Sequence, residues 1–303
     1  MYKKIKITIY LASFTFIALS LLFQNQAAVR LALEALNLWF NKMIPALFPF
    51  MILSGLLINL NLSDRFASIF SPILRPIYRL SDFGLYCIII GFLCGFPMGA
   101  RVCAQQYERG NIGRKEATLL LAFCNNIGPI YFTGFVLQLF PTEYILPYLF
   151  GMYGIPLVYG FFLRYTSFSD VKYEKKITAV HTNYLPSLFT ELNHSIQTSL
   201  DAVTVLGGYM IFCNILNLIP IVLIPQQTFI QNMLGPVFEI TSGLSNLPFK
   251  FRKLAFILLH FGGISCIAQT SSCIRNTDLS LREYVFHKSI QTILAAAYYG
   301  FII

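Results

Sequence analysis

The chain has 303 residues, of which 56% are hydrophobic and only 12% are charged. Soluble domains carry charge on about a quarter of their residues, so this composition is typical of a protein embedded in lipid. The net charge of +9 does not indicate nucleic-acid binding. Lys and Arg stand at the edges of apolar segments, where membrane topology and lipid headgroups account for them.

The cysteines and histidines do not predict a metal site or a disulfide framework. The seven cysteines form no Cys-x-x-Cys pair and nearly all lie in or beside apolar runs, which favours small buried hydrophobes. The four histidines lack the spacing of a His-Glu-x-x-His motif. We therefore predict neither a metal ion nor a cofactor.

The first apolar run, residues 5–23, follows a basic start and has two interpretations. It is long for a signal-peptide core, and further apolar runs follow, which favours a retained membrane helix. A signal anchor is the second choice. In the signal-peptide interpretation, Ala27 and Ala28 are the candidate residues for a cleavage site. The basic start predicts a cytoplasmic N-terminus.

The remaining sequence alternates amphipathic segments with apolar runs. Amphipathic segments are predicted at residues 27–40, 64–78 and 229–244. Apolar spans are predicted at residues 43–60, 83–102, 117–140, 144–163, 196–224, 254–274 and 284–303. This pattern predicts an all-α polytopic membrane protein.

The order of these elements predicts one membrane domain, residues 1–303, built from two repeats. The first repeat is residues 27–140 and the second is residues 194–303. Residues 141–163 form a connecting span between them, and residues 164–193 form a cytoplasmic polar loop. Weak similarity at offsets of 160 and 167 residues places Gly95 opposite Gly262.

The distribution of basic residues suggests how each repeat is oriented. Residues 83–102 are flanked by basic residues on both sides, which favours a re-entrant hairpin that enters and leaves on one face. Counting spans from the N-terminus gives the second repeat the opposite orientation, an architecture shared by many secondary transporters. Parallel repeats are the alternative, because the inverted model leaves Lys250, Arg252 and Lys253 facing outward.

Glycine, proline and amide residues interrupt the apolar runs. The predicted helix breaks are Gly95, Pro97, Gly99, Gly128, Pro129, Gly262 and Gly263. An unpaired backbone group in hydrocarbon costs several kcal/mol, so such a break is tolerated where it is buried in protein or lines a wet cavity. The exposed half-helix ends could bind a polar solute. Close helix packing is the alternative reason for small residues and proline.

The polar residues near these breaks are mostly neutral donors and acceptors, which suit an uncharged polar solute. The predicted substrate-binding residues are Asn125, Asn126, Ser265, Gln269, Thr270 and Ser271, with Gln105 and Gln106 as further candidates. Asp201 is the one acid near a span interior, and a helix-start position explains it better than a coupling-ion role. Interfacial positions are predicted for Arg101, Glu108, Glu239 and Glu283.

Four segments resemble the YlbJ family of sporulation integral membrane proteins, in the nucleoside-recognition or Gate-domain group. They are IPALFPFMILSGLL (44–57), GFLCGFPMGARVCAQQYERGNI (91–112), LLLAFCNNIGPIYFTGFV (119–136) and GGISCIAQTSSCI (262–274). That group is related to concentrative nucleoside transporters, so the resemblance implies hairpins at 83–113 and 254–278 and broken helices at 117–140 and 284–303. The chain departs from nucleoside transporters because these hairpins lack obvious acidic residues.

Two functions remain open from the sequence. The first is a secondary-type transporter of an unknown polar small solute, associated with spore formation. The second is a non-transporting membrane component of spore-envelope (cortex) assembly. No catalytic set stands out, so an enzyme is not expected. Expected partners are membrane lipid and a small polar solute, while a coupling ion and a second copy of the chain stay open and nucleic acid is not expected.

Overall fold

The computed structural model describes residues 2–142, 144–171 and 187–302. Every regular element within these ranges is helical, which confirms the all-α prediction. The helices of the N-terminal half are α1 (Tyr2–Phe23), α2 (Asn25–Leu38), α3 (Ile44–Asn59), α4 (Ser63–Ser68), α5 (Ser71–Tyr78), α6 (Asp82–Cys94), α7 (Met98–Glu108), α8 (Arg114–Phe123), α9 (Pro129–Tyr131), α10 (Leu137–Leu139), α11 (Ile145–Leu149) and α12 (Ile155–Tyr165).

The helices of the C-terminal half are α13 (Leu188–Ile215), α14 (Leu218–Leu223), α15 (Thr228–Phe238), α16 (Ile240–Ser245), α17 (Arg252–Phe261), α18 (Gly263–Ile274) and α19 (Leu281–Ile302). The predicted polar loop at 164–193 is only partly described, since residues 172–186 lie outside the described ranges. Its first two residues end α12, and its last six belong to α13.

Five helical stretches in the described part of the chain are long and apolar enough to cross a membrane. They are Lys6–Phe23, Asn25–Asn59, Ile145–Tyr165, Leu188–Leu223 and Phe249–Ile274. This agrees with the prediction of an integral membrane protein. Only 6% of the first stretch is buried, which suits a helix surrounded by lipid.

The predicted amphipathic segment at 27–40 and the span at 43–60 form one continuous stretch, so their prediction as separate elements is wrong. A π-helical turn at Trp39–Met43 joins α2 to α3 just before Pro45. The wider turn accommodates a proline that cannot donate a backbone hydrogen bond. This stretch packs antiparallel to α13, because Trp39 Nε1 donates to the Val203 carbonyl at 2.9 Å and Asn214 Nδ2 donates to the Leu31 carbonyl at 2.7 Å.

The first predicted interruption, between α6 and α7, is a reversal of the chain. Gly95 ends α6 with a φ of +86°, a conformation that glycine adopts without steric cost. A methyl group placed on either Gly91 or Gly99 would overlap the same carbonyl oxygen, that of Cys124. A straight helix would separate these two glycines by about 12 Å, so α6 and α7 fold back as a hairpin. Gly99 itself lies inside α7, so its prediction as a break residue is wrong.

The second predicted interruption separates α8 from α9. Helix α8 ends at Phe123, and the chain then runs without helical structure to Gly128 and resumes at Pro129. The helical structure is therefore interrupted within residues 117–140. Asn125 and Asn126 lie in the break itself.

The third interruption, at Gly262 and Gly263, does not reverse the chain, so the predicted hairpin over 254–278 is wrong. Both glycines have positive φ values, +81° and +75°, yet Phe249–Ile274 remains one span-length stretch. It packs antiparallel to α19, since Phe256 in α17 contacts Tyr299 at a ring distance of 5.7 Å. At the other end, Thr270 in α18 and Tyr284 in α19 meet at a shared partner, Asn125. Helix α19 is unbroken.

A hairpin that was not predicted lies between α15 and α16, within the segment 229–244. The chain reverses at Glu239, which has an extended backbone. A methyl group on Gly243 would overlap the backbone of Gly235 and Pro236, so the two short helices touch through these glycines.

The two broken helices run in opposite directions. At one end, the ring of Phe132 after the first break contacts Phe256 before the second break, at 6.1 Å. At the other end, Arg114 at the start of α8 forms a 3.0 Å ion pair with Asp278, just beyond α18. The two helices therefore lie antiparallel, with their breaks near the middle.

Candidate functional site

The first break and both hairpin turns converge on one small cavity. Its volume is about 30 Å³, which is room for one or two water molecules. Its lining comes from the α6–α7 turn, the α8–α9 break, the α15–α16 turn, α3, α13 and α18: Met43, Leu47, Cys94, Phe96, Ile127, Gly128, Tyr131, Met210, Glu239, Ile240, Thr241, Cys266 and Gln269. Elements distant in sequence thus meet around a partly polar void.

The amide of Asn125 holds the first break in place. Its Nδ2 donates to Thr270 Oγ1 at 2.9 Å and to Tyr284 Oη at 3.1 Å, and its Oδ1 accepts from the Ala100 N–H at 3.3 Å. The structure therefore brings together Asn125 and Thr270, as predicted for a shared site. Their polar groups bind each other, and neither residue lines the cavity.

Lys288 is a buried cation that the sequence analysis did not single out. Only 1% of Lys288 is exposed. Its Nζ donates to the Asn125 carbonyl at 3.0 Å, to Asn126 Oδ1 at 3.0 Å and to Gln291 Oε1 at 3.2 Å. It also lies 4.9 Å from the centre of the Phe96 ring, within the range of a cation–π contact.

Two further amides satisfy the carbonyl end of α8. Asn126 Nδ2 donates to the Phe123 carbonyl at 2.6 Å, and Gln291 Nε2 donates to the Ala122 carbonyl at 2.6 Å. The last carbonyls of a helix have no partner within it, so side chains from the break and from α19 supply them.

Glu239 lies at the turn of the α15–α16 hairpin and is 1% exposed, so its predicted interfacial position is wrong. Its Oε2 accepts from the Ser242 N–H at 2.7 Å. Ser242 Oγ lies 2.7 Å from both Glu239 Oε2 and Asn214 Oδ1, and its one hydrogen can be donated to only one of them at a time. Its Oε1 is 3.4 Å from Ser265 Oγ, a weak contact. Glu239 lines the cavity and gives it a carboxylate.

The other predicted binding residues are placed unequally. Gln269 lines the cavity, and Ser265 reaches it through Glu239. Ser271 is partly exposed on another face of α18 and does not line it. Gln106 bonds to Ser63 Oγ at 3.2 Å, away from the breaks, and its neighbour Gln105 does not line the cavity.

Two of the charged residues also differ from expectation. Asp201 lies well inside α13, on an exposed face, and not at a helix start. Arg101 donates to the Thr198 carbonyl at 3.0 Å and packs against α13. Glu108 and Glu283 are exposed. Within the described ranges, no group of three or more His, Cys, Asp or Glu side chains is arranged to hold a metal ion.

A second, larger pocket lies on the other side of the α15–α16 hairpin. Its volume is about 280 Å³. It is lined mainly by amides and charged groups: Arg30, Leu31, Glu34, Asn214, Asn217, Ile221, Thr228, Gln231, Asn232, Gly235, Gly243 and Asn246. The hairpin glycines face this pocket and the hairpin turn faces the cavity, so the hairpin separates the two spaces.

The sequence contains a pattern from which Lys288 could have been identified as a functional candidate. Tyr284, Lys288 and Gln291 recur at the spacing of one helix face, within an otherwise apolar segment. An ionisable residue in a membrane segment is a functional candidate by default. Glu239 carried no comparable signal, because its partners come from α16, α18 and, through Ser242, α13.

Comparison with known proteins supports the resemblance seen in the motifs. No protein-family model matches the chain, and no solved structure matches it. A Bacillus subtilis (strain 168) protein described as "Sporulation integral membrane protein YlbJ" is 26% identical over an alignment 333 positions long, which covers 96% of this chain and 81% of that protein. This similarity confirms the predicted resemblance to YlbJ, and together with the apolar helical stretches it supports an integral membrane protein.

Proposed function

We propose that the chain is a secondary-type transporter of a small polar solute, associated with spore formation. The observation that carries the proposal is the convergence of the first helix break, two hairpin turns and α18, which follows the second break, on one cavity. Unwound backbone at a shared central cavity is how many secondary transporters build their binding sites. The association with spore formation rests on the description of the Bacillus subtilis relative.

We infer an inverted repeat whose two units have different boundaries from those predicted from the sequence. Each unit consists of a hairpin, a broken helix and a further helical stretch: α6–α7, α8–α10 and α11–α12 in the first, and α15–α16, α17–α18 and α19 in the second. Each hairpin holds two glycines eight residues apart, Gly91 with Gly99 and Gly235 with Gly243. The antiparallel course of the broken helices supports inversion. Assignment to the nucleoside-recognition or Gate-domain group stays a prediction.

In each unit the hairpin turn touches the following break. A methyl group on Gly128 would overlap the backbone of Cys94, and one on Gly263 would come within 2.8 Å of the Pro236 carbonyl oxygen. The same pairing of hairpin turn and break occurs twice, which is what a repeated unit requires. It also means that a hairpin movement would expose a break.

The α15–α16 hairpin is the element best placed to control access. It forms the partition between the pocket of about 280 Å³ and the cavity of about 30 Å³. Its displacement would join them and expose Glu239 and Gln269 to a solute entering from the larger pocket. Amides, hydroxyls and the two carboxylates of Glu34 and Glu239 around this route suit a solute with several hydrogen-bond donors.

Thiol labelling tests alternating access without knowledge of the solute. Cys266 lines the cavity, whereas Cys87 is buried in α6 away from it. Two variants would each retain one of these cysteines, with the other six replaced by serine or alanine. A water-soluble, membrane-impermeant maleimide is expected to label Cys266 slowly from both faces of sealed vesicles and to leave Cys87 unlabelled. Absence of Cys266 labelling from either face in folded protein would refute the proposal.

The asparagines of the first break give a second test. Replacing both Asn125 and Asn126 with Leu is expected to abolish transport while leaving the protein in the membrane, since the buried break loses its amide partners. Asn37→Leu is the matched control, because Asn37 is exposed on α2. Heat-resistant spore counts in Bacillus subtilis cells that lack their YlbJ measure the outcome. Equal counts for the double variant and the control would remove these asparagines from the site.

A non-transporting role in spore-envelope assembly is the second candidate. The cavity favours it in one respect, since about 30 Å³ holds water but no organic solute. In that case Cys266 would stay unlabelled while the protein still restored spore formation. Labelling of Cys266 from both faces would exclude this alternative.

A further inference from the structure

The break after α8 has the features of a monovalent cation site. The carbonyl end of a helix carries a partial negative charge, and unwound carbonyls at such breaks bind sodium in several transporters. Here the oxygens that converge are the Asn125 carbonyl, Asn126 Oδ1 and Gln291 Oε1. All three residues are at most 3% exposed.

The position between these oxygens is taken by the Lys288 nitrogen. A lysine ammonium has three N–H donors and no acceptor, and Nζ has three oxygen acceptors at 3.0, 3.0 and 3.2 Å. The number of partners therefore matches a charged ammonium in which every donor is used. None of the ion pairs found among the described residues includes Lys288, so neutral oxygens and the Phe96 ring are what stabilise its charge.

We propose that the Lys288 ammonium acts as a built-in monovalent cation at the α8–α9 break, so that the protein binds neither sodium nor potassium there. A second cation at the same oxygens would lie within a few ångströms of the ammonium, and like charges at that distance repel strongly in a low-dielectric interior. The break is thus held in its unwound form by the chain itself. This inference concerns the break alone and does not require that the protein transports a solute.

The wild-type protein provides the first test. Its melting temperature is measured after purification, in sodium, potassium and choline chloride at equal ionic strength. The expected result is the same melting temperature in all three salts. A melting temperature that is higher in sodium or potassium than in choline would overturn the inference, whatever the variants do.

Two variants provide the second test. Lys288→Ala removes the ammonium and leaves space, whereas Lys288→Met removes the charge and fills the space. Both are expected to melt lower by roughly 5 °C or more, since three buried acceptors lose their donor. Ammonium or methylammonium chloride is expected to restore Lys288→Ala towards wild type and to leave Lys288→Met unchanged.

An exposed lysine, Lys115, provides the control. Lys115→Ala, which removes an exposed ammonium paired with Asp170, is expected to show no response to ammonium. Failure of ammonium to raise the melting temperature of a folded Lys288→Ala protein would refute the inference, as would an equal response in Lys288→Met. If neither variant folds, the salt comparison on the wild type decides alone.

Discussion

Gly99 allows α7 to pack directly on the α8–α9 break, and its replacement by alanine tests that packing. A Cβ atom at this position would overlap the Cys124 carbonyl oxygen and lie 2.9 Å from Asn125 Cα. Both neighbours are backbone atoms, so no side chain can rotate away. Either α7 must move outward or the break must shift.

The matched control is Gly208, which lies inside α13 on an exposed face. A Cβ atom there would meet nothing within 4 Å. Alanine is favoured over glycine inside a helix by about 1 kcal/mol, and this gain applies to both substitutions. At Gly99 an overpacking cost of about 1–3 kcal/mol opposes it.

The helix-propensity gain and the overpacking cost predict changes of opposite sign in the free energy of unfolding for the two substitutions. Gly208→Ala is expected to raise the free energy of unfolding by about 0.5–1 kcal/mol. Gly99→Ala is expected to lower it by about 1–2 kcal/mol, after the helix-propensity gain is subtracted from the upper part of the overpacking range. A difference of about 2 kcal/mol or more corresponds to roughly 4 °C in melting temperature for a chain of this size.

Thermal unfolding in detergent can be followed by the reaction of a fluorogenic maleimide with cysteines that become accessible. Cys87 in α6, Cys103 in α7 and Cys124 in the break after α8 are buried around Gly99, so they report on this region. Equal melting temperatures for Gly99→Ala and Gly208→Ala would show that α7 does not pack against the break as described.

Three further predictions concern other parts of the structure. Arg164→Lys is expected to lower the free energy of unfolding by about 2 kcal/mol or more, because the buried guanidinium donates to five carbonyls. Arg164→Met, measured by the same thermal assay, should be worse still, and a fully stable Arg164→Lys would contradict this role. Tyr284→Phe is expected to cost only about 0.5–1.5 kcal/mol, because Asn125 Nδ2 keeps Thr270 as a partner; a loss as large as that of Asn125→Leu would argue against this network. The Lys115 ammonium, hydrogen-bonded to Asp170, lowers the pKa of that carboxyl below its ordinary value of 3.8. A lowered carboxyl pKa stabilises the fold above pH 4, and this stabilisation is lost as the pH falls through the folded-state pKa. The small difference in melting temperature between wild type and Asp170→Asn should therefore vanish in acid. A difference that grows in acid would contradict the direction of the pKa shift.

The local interruptions were predictable from sequence, whereas the direction of the chain after them was not. Gly95 with Pro97 and the run from Asn125 to Pro129 each combine residues that a helix disfavours, and both stretches are broken as predicted. Gly262 and Gly263 carry the same local signal, but the chain continues in line because α19 packs along both α17 and α18. Reversal or continuation therefore depends on the neighbouring helix, which no local pattern records.

The environments of the two buried charged residues, Glu239 and Lys288, were likewise not predictable from local sequence. Glu239 sits in a segment that reads as amphipathic, and its burial depends on Ser242, Ser265 and the neighbouring α13. Lys288 was recognisable as a lone charge in an apolar run, but its partners at the break lie more than 160 residues away. The glycine pair of each hairpin became informative only once both hairpins were known to fold back.

The helices near the cavity fall into two groups according to the lengths of the hydrogen bonds that join them. On one side, α8, α18 and α19 are joined by bonds of 2.6 to 3.2 Å through Asn125, Lys288 and Gln291. On the other side, the α15–α16 hairpin contacts α13 through Ser242 Oγ, which lies 2.7 Å from Asn214 Oδ1 and shares its one hydrogen between Asn214 and Glu239.

Across the cavity, the polar side-chain contacts of the hairpin turn are long. They are Ser265 Oγ to Glu239 Oε1 and Tyr131 Oη to Thr241 Oγ1, both at 3.4 Å. Bonds at this length are weak, so separating the hairpin from the broken helices would sacrifice little polar energy, whereas moving it away from α13 would break a short one. The expected motion is therefore of the hairpin together with α13, which would open the cavity along the face where Cys266 lies.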